Sequence, residues 1–139
     1  MKIIDGTNLI LGRLASYVAK QALEGETITI INSEKVIITG KRANVFQIYK
    51  ERIDRGSPLK GPYYPRQPDR IVKRVIRGML PRKYESGRLA LKRVKCYIGV
   101  PEQFKNEKFL TVDSASISNL KTTKIIKLSE IVNEFGIKL

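Results

Sequence analysis

The sequence predicts an α/β domain built on a largely parallel sheet, and three observations carry that prediction. Short β-branched runs alternate along the chain with apolar stripes of helical period. The connections between them are short and marked by Gly or by Asn-Ser. A length of 139 residues, 42% of them hydrophobic, is enough for one buried core.

The elements follow in order. Lys2-Ile3-Ile4-Asp5 reads as a short strand ending at Gly6. From Gly12 to Leu23 the pattern is helical, with Leu14, Ala15, Val18 and Ala22 on one face and Gly25 as the stop. Thr27-Ile28-Thr29-Ile30-Ile31 is β-branched and reads as a buried strand. Asn32-Ser33 supplies a turn, and Val36-Ile37-Ile38-Thr39 a third strand ending at Gly40. Val45, Phe46, Tyr49 and Ile53 form the apolar stripe of a second helix, roughly Lys41 to Arg55.

The segment Gly56 to Asp69 breaks this rhythm, because Pro58, Pro62, Pro65 and Pro68 with Gly56 and Gly61 interrupt both helix and sheet. It is expected to have little to bury against its own domain, and so to order against a partner. Arg70 to Met79 predicts a helix of two faces. Arg70, Lys73, Arg74 and Arg77 follow the i, i+3, i+4, i+7 rule, and Ile71, Val72, Val75, Ile76 and Met79 cover the other side. Gly78 and Pro81 end it. A shorter helix, about Gly87 to Lys95, carries Arg88, Lys92 and Lys95 as a basic stripe and leads into a strand at Cys96 to Val100. In the tail, Phe109-Leu110-Thr111-Val112 reads as an added strand or extended arm. Ser129, Ile131, Val132 and Phe135 read as a short helix closed by Gly136. There is no internal repeat, no low-complexity tract and no sign of a second domain.

A net charge of +14 requires an anionic partner: nucleic acid, an anionic membrane surface or an acidic protein. Its distribution narrows the choice. From Lys41 to Lys95 there are 17 Lys/Arg against 4 Asp/Glu, while the rest of the chain holds 10 basic and 9 acidic residues. The excess sits in one segment, as expected of a dedicated anion-binding surface.

Absences exclude other classes. The chain has no His, so the commonest acid–base group and metal ligand is missing. Cys96 is its one cysteine, which removes any intrachain disulfide or multi-Cys zinc site. In the apolar run Cys96 to Val100 it reads as a small buried hydrophobe. Met1 to Asp5 is too short and too acidic for a signal peptide, and no run approaches about 18 apolar residues. The expectation is a cytosolic protein with no membrane partner.

Four motifs deserve separate readings. Four like charges on one helix face repel one another, so the stripe Arg70, Lys73, Arg74, Arg77 reads as phosphate contact rather than as a solvated face, which would mix signs. Lys41 and Arg42 stand at the start of the second helix, where exposed N–H groups attract phosphate but cations are locally unfavourable. Tyr63-Tyr64, between Lys60 and Arg66, either stacks on unpaired bases or folds back onto its own domain. The Gly6 to Arg13 loop lies where nucleotide-binding loops occur, yet matches neither the GxGxxG nor the GxxxxGK[ST] spacing. A tight connection is the favoured reading, with Arg13 free to touch a phosphate. No nucleophile–base pair and no catalytic residue can be named.

Leu11-Gly12-Arg13-Leu14-Ala15-Ser16, Ile38-Thr39-Gly40-Lys41, Val75-Ile76-Arg77-Gly78-Met79-Leu80-Pro81, Gly87-Arg88 and Tyr97-Ile98-Gly99-Val100-Pro101, in this order and spacing, resemble the universal large-subunit ribosomal protein thirteen family. The likeness covers about residues 2 to 104 and is most specific at Arg-Gly-Met-Leu-Pro followed by Gly-Arg. The chain starts almost at its first strand, and the stretches 66–102 and 109–120 look like the archaeal branch. The resemblance implies a three-layer α/β/α domain, residues 1–104, around a mostly parallel four-stranded sheet, with 105–139 as a C-terminal extension packing on the domain or on neighbours.

It further implies binding to large-subunit rRNA beside other large-subunit ribosomal proteins and a role in subunit assembly, with no cofactor, metal, small-molecule substrate or catalytic residue. Family positions at RNA fall on Arg13, Lys41, Arg77, Arg82 and Arg88. The neighbouring residues Arg42, Arg52, Arg55, Lys60, Tyr63, Tyr64, Arg66, Arg70, Lys73, Arg74, Lys83 and Lys92 complete the candidate set. Two other hypotheses stay in competition: an enzyme on nucleotide or nucleic acid using the Gly6–Arg13 loop, and a DNA-binding module, against which the basic helix lacks Asn and Gln.

Overall fold

A computed structural model describes residues 1–139. Strands β1 (Lys2–Asp5), β2 (Ile28–Ile31) and β4 (Val94–Cys96) form a parallel sheet in the order β1-β2-β4, with Ile4 opposite Ile30 and Ile30 opposite Cys96. All four residues of β2 are buried, as a central strand covered on both faces requires. The helices are α1 (Leu11–Leu23), α2 (Arg42–Asp54), α3 (Pro68–Met79), α4 (Glu85–Arg93) and α5 (Leu128–Glu134). The α/β class holds.

The third strand, β3 (Ile37–Thr39), does not extend this sheet. It pairs antiparallel with β5 (Ile125–Lys127), Ile38 opposite Ile126. After β2, Asn32 takes a left-handed φ of 52° and a 3-10 turn spans Ser33–Lys35, turning the chain away before β3 begins. Its other side is held by Leu9 and Ile10, the Ile37 N–H donating to the Leu9 carbonyl at 2.8 Å. In place of the expected four-stranded sheet there are three parallel strands and a separate pair.

One face of the sheet packs Ile4, Ile28 and Ile30 against α1, α3 and α4, whose Leu14, Val18, Ile71, Val72, Ile76 and Ala90 are buried in one core. Burial of each large side chain there contributes roughly 1.5–3 kcal/mol. The other face carries Ile3 and Ile31 and is covered by Phe104, Tyr97 and Val100, so the third layer is a short 3-10 turn at Glu102–Phe104 rather than a helix. The tail belongs to the main core: Leu128, Ile131 and Val132 of α5 are fully buried in it. Leu110 lies beside β1, its N–H donating to the Ile3 carbonyl at 2.7 Å, which makes the 109–112 stretch an extended arm. No helix is long and apolar enough to cross a membrane.

Three details differ from expectation. Pro68 is the first residue of α3, not part of the loop, because its fixed φ and missing N–H suit the first helical turn. Helix α4 starts at Glu85 and ends at Arg93, so Lys95 lies in β4 and the strand precedes Tyr97–Val100. Met79, assigned to the apolar side of its helix, is 42% exposed, and its sulfur takes the Ser16 hydroxyl at 3.5 Å.

Candidate nucleic-acid interface

Helix α2 buries only Val45 and Tyr49 and leaves Ile48 exposed, so it stands on the domain as a lightly packed, cation-bearing element. The 55–67 segment returns along it. Its tip, Leu59 and Lys60, is exposed, while Ser57 and Gly61 bridge to close it. The two readings left open for the tyrosines divide between them. Tyr63 is 69% exposed, its hydroxyl donating to the Pro58 carbonyl at 3.0 Å. Tyr64 folds back, half-buried against the core and edge-on to Tyr49 with ring centroids 6.2 Å apart. The segment therefore does have something to bury against its own domain. The Tyr49 hydroxyl is pushed up to about 12, chiefly by burial, then by Tyr64 and against Arg52, so it stays neutral.

Around Tyr64 two guanidinium groups converge. Arg74 lies 5.0 Å and Arg52 5.9 Å from its ring centroid, and Arg52 is 5.2 Å from that of Tyr49. Such cation–π contacts hold both charges in place without neutralising them. Together with Arg55, Pro62 and Gly78 they line an open cleft of about 390 Å³.

Along α3 this cleft meets others. Arg70, Lys73, Arg74 and Arg77 line a depression with Tyr63 and Leu91, of about 340 Å³. Lys73 and Arg77 continue into one between α3 and α4, about 460 Å³, completed by Arg82, Arg88 and Lys92. Arg70 and Lys73 also face Lys95, Cys96 and Asp69, and Arg66 shares a hollow with the two tyrosines. Asp69 is the one carboxylate lining these five hollows. Cys96 is half-buried, and desolvation pushes its thiol up to about 12, so it is not a nucleophile.

The basic stripe of α3 is thus the shared ridge of a groove that gathers Arg52, Arg55, Tyr64 and Arg66 on one flank and Arg82, Arg88 and Lys92 on the other. Arg88 is also structural, its guanidinium donating to the Arg82 and Lys83 carbonyls at 3.4 Å. Five candidates lie apart from the groove or at its margin. Arg13 is exposed on α1 and donates to the Ser114 carbonyl at 3.4 Å. Lys41 and Arg42 open α2, where Arg42 pairs with Glu130 and covers the Phe46 ring. Lys60 and Lys83 are exposed with no ion pair. The chain's ion pairs are Lys2–Glu26, Arg42–Glu130 and Lys105–Glu102, so Arg42 is the one cation between residues 41 and 95 with a carboxylate partner.

The residues that reasoning from sequence missed are Tyr49, the aromatic floor beneath Arg52, and Gly78. Tyr49 and Arg52 are spaced i, i+3 on one helix, a signal that was available.

The Gly6 to Ile10 part of the Gly6–Arg13 loop is closed to phosphate. The N–H groups of Gly6, Asn8, Leu9 and Ile10 donate to the carbonyls of Ile31, Lys35, Gly6 and Ala115, and that of Thr7 to Asp5 Oδ1. Leu9 and Ile10 are buried, and a Cβ at Gly6 would meet Val36 Cγ2 at 2.9 Å. A nucleotide-binding loop needs those donors free.

Comparison with known proteins agrees with the resemblance. The family model for ribosomal protein L13 matches residues 1–103. The large ribosomal subunit protein uL13 of Methanosarcina barkeri is 49% identical over 139 residues, covering 99% of each chain. That of Archaeoglobus fulgidus is 45% identical over 137 residues, covering 98% of this chain and 88% of its own. That of Thermoplasma volcanium is 45% identical over 136 residues, covering 98% of each.

Proposed function

This chain belongs to the ribosomal protein L13 family, in its archaeal type, and we propose that it is seated on large-subunit rRNA through the groove centred on α3. It is a structural constituent of the large ribosomal subunit and not an enzyme. The observation that supports the seating is the set of cations between residues 41 and 95 that, Arg42 apart, have no carboxylate partner within the chain. Like charges gathered without counter-charges weaken a free domain, and polyanionic phosphates relieve them. Arg13, Lys41, Lys60 and Lys83 are read as phosphate contacts at the margin. Residues 105–139 are read as an extension that completes the core and whose exposed side meets neighbouring ribosomal proteins.

Filter binding of the purified chain to archaeal large-subunit rRNA between about 50 and 200 mM salt tests this. The log–log slope should be steep, near −0.7 to −0.9 for each phosphate neutralised. A slope of one or two would overturn the seating. The double variant Arg74→Glu, Arg77→Glu should keep its circular dichroism and drop out of the large-subunit peak of a sucrose gradient. Duplex DNA should compete poorly.

A further inference from the structure

Gly78 sits in the last turn of α3, where a glycine is unfavourable and nothing in the chain requires one. Its φ is not positive, and a Cβ built on it meets no atom within 4 Å. Gly87 and Gly56 are different, since a Cβ on either would strike a backbone oxygen at 2.3 Å. A helical Gly that the fold does not need, as at Gly78 and at Gly12 of α1, leaves the backbone open to close approach by another molecule. Gly78 lines the cleft that holds Arg52, Arg55 and Arg74. Arg52 and Arg74 flank one tyrosine ring and so lie within about 11 Å of each other, roughly one Debye length at 0.1 M salt, and no carboxylate pairs with either.

We infer that this cleft seats one ribose-phosphate of the RNA backbone, its phosphate among Arg52, Arg55 and Arg74 and its sugar against the bare backbone at Gly78. The order within the cleft follows from electrostatics. The carboxyl end of a helix carries partial negative charge, which repels a phosphate but accepts a hydrogen bond from a ribose hydroxyl. Arg52 and Arg74 are held by aromatic faces and the carbonyls by the helix, so most of the seat exists before the RNA arrives. The inference rests on the RNA reading above and names the part of that groove where the RNA backbone comes closest.

Gly78→Ala and Arg55→Ala test it, in the full-length chain with purified archaeal large-subunit rRNA as the probe. Gly78→Ala should raise the thermal midpoint by about 2–5 °C, because alanine favours the helix, yet weaken rRNA binding about tenfold or more. Arg55 supports neither tyrosine ring, and Arg55→Ala should lower the salt slope by about one without moving the midpoint. If both variants bind as the wild type does with an unchanged slope, the seat is wrong while the wider groove stands. If the wild type itself shows no steep salt dependence, both readings fall. A Gly78→Ala variant that loses stability as well as binding would also overturn it, because the glycine would then be structural.

Discussion

Gly87 packs its bare α-carbon against the Pro81 peptide, and a Cβ there would stand 2.3 Å from the Pro81 oxygen and 2.5 Å from its carbonyl carbon. These are backbone atoms, so the turn between α3 and α4 would have to shift. Gly87→Ala should destabilise the chain by about 1–3 kcal/mol, read as a lower urea midpoint, although alanine is the better helix former. At the end of β1, Asp5 accepts from the Asn32 amide at 2.9 Å, the Thr7 N–H at 3.0 Å and the Thr7 hydroxyl at 2.7 Å. Burial pushes its carboxyl up, but these hydrogen bonds and Lys35 outweigh that and hold it below its ordinary 3.8. The folded chain therefore binds this proton more weakly than the unfolded chain does. The stabilisation is fully present above 3.8 and is lost as pH falls below it. Urea unfolding of Asp5→Asn and wild type should differ at pH 7 and converge at acid pH.

At the scale of elements, α3 separates its two faces more finely than its stripe suggests. Ile76 is fully buried, whereas Val75 is half-buried at the edge of the arginine cleft. Helical spacing puts Val75 with Ile76 on the apolar side, where an aspartate would unfold the chain. In the structure that carboxylate would face Arg52, Arg55 and Arg74, so Val75→Asp should fold and Ile76→Asp should not. Circular dichroism melts separate them, since a buried unpaired charge costs several kcal/mol. The helices were legible because apolar stripes of period 3.6 mark them. The start of α3 was not, since Pro68 reads as a breaker yet is favoured at the first helical position. Nor was the end of α4, because Lys95 continues the basic spacing of Arg88 and Lys92 into a strand. The candidate site was legible as a run of unbalanced charge. The convergence of Arg52 and Arg74 on Tyr64 was not, because it joins residues from α2, a loop and α3 that no local spacing relates.

At the scale of the whole molecule, the tail is part of the fold. Leu128, Ile131 and Val132 are fully buried in the main core, and the loss of each such side chain costs about 2–5 kcal/mol. A chain shortened after Leu120 loses all three against a total stability of about 5–15 kcal/mol. It should show no cooperative thermal transition by calorimetry. The sheet explains why four strands were expected and three found. β3 has the composition of a central strand, but its register partner lies in the tail, and sequence spacing carries no record of such a distant pairing.

That pairing sets an order of events at synthesis. About 85 residues lie between β3 and β5, so a nascent chain carries Ile37–Thr39 with one edge bare until the 125–127 stretch has left the exit tunnel. A bare β edge invites pairing with other chains. A truncated translation product would therefore be adhesive as well as incomplete, joining an unpaired strand to a polycationic arm.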